Sequence, residues 1–148
     1  MPDAKAPPLA DPGGYRFWTP ERLRFADLDP LGHANNNAFG VWFQEARVHL
    51  FEEAFGQRIG RDGLGVVLAR ITIDFLREVR FPADIRIGQR MARIGRTSMA
   101  LDSAIFKDDE AIATSQSVTV LFDQTRRCPV EVPDSLRQRL MALAGPVS

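Results

Sequence analysis

Apolar residues follow two rhythms along the chain. In "AFGVWFQEARVHLFEEAFG", from Ala38 to Gly56, they recur every three or four positions, which predicts a helix. Phe39, Trp42, Phe43, Ala46, Leu50 and Ala54 form one stripe, and Val41, Val48, Phe51 and Phe55 form a second. Polar residues, Glu45 and Arg47 among them, keep only a narrow sector. A helix apolar on most sides needs cover on most sides. Asn35, Asn36 and Asn37 suit its N-terminal cap, and Gly56 suits its end.

Elsewhere the period is two. Leu23, Phe25, Asp27 and Asp29 share one side of an extended chain, with Arg22, Arg24 and Ala26 on the other. Pro30 disfavours helix at Asp29, so this phase is expected to persist through both carboxylates. Ile71, Ile73 and Phe75 alternate with Arg70, Thr72 and Asp74. Ile85 and Ile87 predict another strand, and Met99, Leu101, Ser103 and Ile105 a third. "FKDDEA" reads as a hairpin turn before a long run from Ala111 to Phe122, with Ile112, Val118, Val120 and Phe122 in phase. "VPDSLRQRLMAL" predicts a terminal helix capped by Asp134 or Ser135. Strand, helix, then four strands with hairpin links give an α+β domain: an antiparallel sheet curled around one long central helix.

Composition narrows the setting. The 148 residues, 45% of them hydrophobic, suffice for one domain with its own core. Residues 1–14, rich in Pro, Ala, Asp and Gly without an apolar face, are expected to form a flexible tail before a single domain over 15–148. Nineteen cations balance nineteen anions, which argues against nucleic acid as a partner. Seventeen of those cations are Arg. No signal-peptide core and no stretch of about eighteen apolar residues is seen, so no membrane span and a cytoplasmic address are expected. The lone Cys128 permits no internal disulfide, and nothing beside it suggests activation by His33 or His49.

The chemistry gathers in "RFADLDPLGHANNNAFG", Arg24 to Gly40. Asp29 closes the predicted strand and the helix begins one short loop later. A carboxylate thus faces the positive end of a helix dipole. Free amides near Asn36 and Asn37 can hold an oxyanion while Asp29 attacks a carbonyl or directs water at it, which suits acyl transfer. The plainer alternative is that Asp29 merely caps the helix and shapes the turn with Gly32.

Arg24, Phe25, Asp27, Asp29, Gly32, His33, Asn35 and Asn36, followed by "FQEAR", resemble the R-[YF]-x-D-x-D-x-x-G-H-x-N-N signature of hot-dog acyl-CoA thioesterases. The nearest branch is the 4-hydroxybenzoyl-CoA thioesterase type. "VVLARITIDFLREVR", "IGRTSMALDSAIF" and "ATSQSVTVLFD" extend the resemblance over nearly everything after Arg22.

The resemblance implies a hot-dog fold, hydrolysis of a fatty or aromatic acyl-CoA, and a homodimer or homotetramer whose sites each need two chains. It also implies Asp29 as nucleophile or general base and a carbonyl-polarising amide at Asn36. Asn stands there where some relatives carry His or Tyr, so the donor is the backbone. Catalysis is expected without metal or cofactor, coenzyme A being part of the substrate.

Asp27 either perturbs Asp29 or orders the loop. His33 orients Asp29 or a water, or merely bonds the loop. Asn35 and Asn37, beside Asn36, are expected at the substrate, as are Thr97 and Ser98, for which a hairpin turn is the other reading. Glu45 is the rival carboxylate. Arg86, Arg90, Arg93 and Arg96 are candidates for phosphate contacts, or solvated strand faces. An acyl-carrier-protein thioesterase and a noncatalytic acyl-CoA sensor remain as alternative functions.

Overall fold

The computed structural model describes residues 8–147. The first seven residues of the expected tail lie outside the described residues. The elements in chain order are β1 (Phe17–Arg22), α1 (Asn36–Phe55), β2 (Leu64–Phe75), β3 (Asp84–Ile94), β4 (Ser98–Lys107), β5 (Glu110–Asp123), the short β6 (Cys128–Pro129) and α2 (Asp134–Ala144). The sheet is antiparallel in the order β1-β3-β4-β5-β2, with β6 beside β5. It curls around α1 as the hot-dog resemblance implies.

α1 begins and ends where its caps dictate. The Asn35 side chain accepts the Asn37 amide, and Gly56 adopts φ 71°, a left-handed conformation that glycine enters without steric cost. One half of the helix buries Phe39, Trp42, Phe43 and Ala46 against Ile85, Ile87 and Ile105. The other buries Leu50, Phe51 and Ala54 against Met91, Met99, Leu101 and Leu121, with Leu136 and Leu140 of α2. Each such large side chain contributes about 1.5–3 kcal/mol. The second stripe is covered only in part, since Val41 and Val48 remain exposed.

Three expectations need correction. The strand does not run from Arg22 to Asp29; β1 lies earlier, and Phe25–Asp27 is a 3-10 turn. Asp27 accepts from the backbone and guanidinium of Arg24, closing a local turn that displaces strand pairing and leaves Phe25 77% exposed. β1 sits at the sheet edge, where Pro20 is tolerated. In β5 the register slips opposite Ile105 and Phe106, leaving Ile112 as an extra residue. This bulge inverts the phase: Ser117, Thr119 and Leu121 are buried, while Val118, Val120 and Phe122 are only half-buried. Finally, α2 has Pro133 at its cap without a side-chain bond; Asp134 occupies the first turn, where an acid suits the dipole.

The hairpin at Asp108 and Asp109 forms as read, both residues having positive φ. Just after the expected tail, Tyr15 is buried and its hydroxyl donates to the Leu9 carbonyl at 2.6 Å. Its ring lies over Gly88, where a Cβ would stand 2.7 Å from Tyr15 Cγ.

Candidate functional site

The segment between β1 and α1 is held at both ends. Leu23 donates to Ala83 at 2.9 Å, and Asn35 donates to the Asp27 carbonyl at 2.8 Å. Leu23, Ala34 and Val79 are buried beside the first half of α1, anchoring the loop in the core. The buried Asp27 carboxyl is held below the usual carboxylate range by its bonds from Arg24, so its place is in ordering this loop.

Asp29 sits in the loop's tightest part. Its amide donates to the His33 carbonyl at 2.9 Å, and Gly32, at φ 85°, donates back to the Asp29 carbonyl at 3.0 Å. Oδ1 accepts from the Leu31 amide at 2.9 Å and from the His33 amide at 3.4 Å. Oδ2 stands 3.4 Å from His33 Nδ1, and the carboxyl side chain is only 20% exposed. Asp29 therefore shapes the turn but does not cap α1, a place that Asn35 takes, and one of its oxygens remains turned toward an imidazole. The other ring nitrogen, Nε2, faces Glu78 Oε1 at 3.6 Å.

The first turn of α1 borders the same place. Asn37 donates to Asn35 Oδ1 at 2.9 Å and Ala38 to the Asn35 carbonyl at 2.9 Å. Among the described residues, the Asn36 amide is left without an acceptor. His33, Ala34, Asn36, Phe39, Phe75, Leu76, Arg77 and Glu78 line an open cleft of about 280 Å³. A group in this cleft meets an imidazole backed by a carboxylate, a free amide at a helix N-terminus, and apolar walls. That combination suits a polarised carbonyl.

The remaining candidates are placed elsewhere. Thr97 borders and Ser98 opens β4 at the β3–β4 hairpin, where Ser98 lies in one row with Val120 and Val67. Phe75, at the cleft, is eight residues further along β2, or about 26 Å. Within one chain these hydroxyls and Asn36 do not meet. Asn35 is occupied as cap, and the Asn37 side chain is exposed.

Glu45 and Arg47 do not share a sector. Glu45 lines a cleft with Arg22 and Arg24, whereas Arg47 lines another with Phe51, Val66 and Leu68. Burial in that second cleft pushes the Arg47 guanidinium down from its ordinary value.

The four arginines do not cluster. Arg90 is buried against Asp102 at 3.1 Å, Arg86 pairs with Asp109 over the Trp18 ring, Arg93 is exposed with its guanidinium near Gly95, and Arg96 pairs with Glu131 at 3.4 Å. His49 bonds Thr19 at 2.7 Å, and Cys128 pairs across from Asp123 in β6, beside the far end of β2. No three His, Cys, Asp or Glu side chains converge in a way that would hold a metal ion among the described residues. No helix among them is long and apolar enough to cross a membrane.

Glu78 and Arg77 join the cleft without having been singled out by the sequence. Their one local sign is "REVR", an apolar residue alternating with charged ones just past β2.

Comparison with known proteins agrees with this fold. The family model of the thioesterase-like superfamily matches residues 23–140. The PA5185 protein of Pseudomonas aeruginosa strain PAO1 superposes with a TM-score of 0.82 at 30% identity, covering 88% of this chain and 93% of that one. A thioesterase of Thermus thermophilus, solved in complex with coenzyme A and Zn, gives a TM-score of 0.78 at 28% identity over 88% and 95% of the two chains. The Bacillus subtilis (strain 168) protein YsmA is 26% identical over 87 residues. That match spans 59% of this chain and 58%, less than two thirds, of YsmA.

Proposed function

The chain belongs to the thioesterase-like superfamily of thioester hydrolases, and from that premise we propose that it hydrolyses an acyl-CoA, fatty or aromatic, to a free acid and coenzyme A. The observation that carries the reading is the cleft bordered by both His33, which the mostly buried Asp29 backs, and Asn36, whose amide is unclaimed among the described residues. The coenzyme A bound by the Thermus thermophilus thioesterase supports the same substrate class.

In this reading the thioester carbonyl points its oxygen at the Asn36 amide and the helix dipole behind it, which stabilise the negative charge that develops on attack. Asp29 either attacks the carbonyl carbon, giving an anhydride that water then opens, or takes a proton from the water that attacks. In both cases the carbon–sulfur bond breaks, the thiolate leaves as coenzyme A and gains a proton, and water supplies the acid's new oxygen. His33 keeps Asp29 oriented. No cofactor is called for, because coenzyme A arrives as part of the substrate.

The protein acts as a homodimer or homotetramer. Among the described residues β2 ends the sheet with an unpaired edge of twelve residues, and Val67, Leu68 and Phe75 on it are exposed. A second chain against that edge would cover this apolar surface and would bring Thr97 and Ser98 of one chain toward the cleft of another. The working compartment is the cytoplasm.

The test is a panel of short, medium, long and aromatic acyl-CoA substrates assayed for thiol release, with Asp29→Asn alongside. Release by the wild type and its loss in the variant support the reading. A flat panel removes it. Activity only on acyl chains carried by a carrier protein would instead make this an acyl-carrier-protein thioesterase, and binding without turnover a sensor.

A further inference from the structure

We propose that Glu78 is a positioning residue of this site, which holds the His33 ring from the side opposite Asp29 and thereby fixes where that ring carries its protons. The inference rests on Asp29 being the reacting carboxylate and deepens that reading.

The ring stands between two carboxylates. Asp29 Oδ2 is 3.4 Å from Nδ1 and Glu78 Oε1 is 3.6 Å from Nε2. Ionised carboxylates only accept hydrogen bonds, and a neutral imidazole has a single N–H to offer. With one carboxylate the ring's proton would simply settle toward it. With two, at 3.4 and 3.6 Å, the ring lies in opposing fields that act through space rather than through hydrogen bonds, and each carboxylate pulls the ring N–H toward its own side. Glu78 thus biases which ring nitrogen of His33 carries the proton, and with it what the ring presents to Asp29.

The backbone holds Glu78 in place. Leu76 and Arg77 donate to the Ile112 carbonyl at 3.0 and 3.2 Å, and Ala34 donates to Val79 at 2.9 Å. His33 and Arg80 form an antiparallel bridge, and Val79 is buried in the core beside α1. Glu78 is pinned between these anchors, facing away from the buried side. Two other charges lie near. Arg77 lines the cleft but is engaged by Glu110 at 2.8 Å, and the Arg80 guanidinium stands over Gly32. His33 is 18% exposed, whereas the Glu78 side chain is 65% exposed, so water screens its field and its effect is modest.

Glu78→Gln and Glu78→Ala are compared with wild type and Asp29→Asn by acyl-CoA kinetics and by NMR of the His33 ring nitrogens. Both Glu78 variants should lower kcat by about two- to fivefold with KM unchanged, and should move the His33 ring-nitrogen signals. Ring signals that stay put overturn the proposal, whatever the kinetics do. So does an unchanged kcat. If the Glu78 variants match wild type while Asp29→Asn is inactive, Glu78 alone is dismissed. Full turnover by Asp29→Asn would take away both the reading and this inference.

Discussion

The Asn35 side chain accepts the Asn37 amide at 2.9 Å, and by doing so leaves Asn36 as the donor at the helix mouth whose hydrogen is unclaimed. A capping residue needs to satisfy only some of the first-turn amides. Which one remains free is set by whose side chain caps.

This separates the Asn36 backbone from its side chain. Proline is well accepted at the first position of a helix, and Asn35 already has the extended conformation that a following proline requires. Asn36→Pro should therefore keep the fold while deleting the amide hydrogen, and lower kcat by about 10²–10³. Asn36→Ala, which keeps that hydrogen, should stay close to wild type. Equal kinetics for the two variants would assign carbonyl polarisation to another group.

Asp29→Asn tests the carboxylate without dismantling the turn. An asparagine oxygen can still accept from Leu31, so circular dichroism and melting should change little. Turnover should fall by at least about 10², the ordinary contribution of a positioned acid or base. If turnover persists, Glu45 is the next candidate, although its cleft lies beside Arg22 and Arg24 rather than at Asn36.

The features legible in the sequence are those fixed by neighbours along the chain. The run Asn35 to Asn37 and Gly56 mark the ends of α1 because capping is local, although only the structure picks Asn35 from that run. The Asp108–Asp109 turn is legible for the same reason. The turn at Phe25–Asp27 escapes such a reading because alternation says nothing about a side chain competing for backbone hydrogens, as Asp27 does with Arg24. The bulge at Ile112 escapes it because one extra residue leaves composition unchanged and inverts every face after it. Glu78 reaches His33 only through the pairing of two segments more than forty residues apart, which no local pattern records.

The Arg24–Asp27 contact predicts a pH-dependent contribution to stability. In the folded chain the Asp27 carboxyl ionises below its ordinary value, chiefly through its bond from Arg24. Its stabilisation is therefore full above the unfolded value of about 4 and is lost as pH falls through the lower folded value. Asp27→Asn should lower stability in urea unfolding at pH 7, with the gap to wild type narrowing below about pH 4. A gap of constant size from pH 7 to pH 3 would contradict the assignment.

The separation of Thr97 and Ser98 from Phe75 gives a test of the two-chain site. If each cleft combines Asp29 of one chain with the hairpin hydroxyls of another, a Thr97→Ala, Ser98→Ala double variant and Asp29→Asn carry lesions in different halves of every site. Each variant alone should be impaired. Mixed, unfolded and refolded together, half of the resulting dimers would pair one chain of each kind, and such a dimer holds one doubly damaged site and one intact site. Activity should then rise to about a quarter of wild type, as expected for random pairing in a two-fold assembly. Additive activity with no rise on mixing would place the hydroxyls outside the reaction and leave the hairpin, which already supplies the Arg96 carbonyl to the Val132 amide, a structural feature of the end of the sheet away from the cleft.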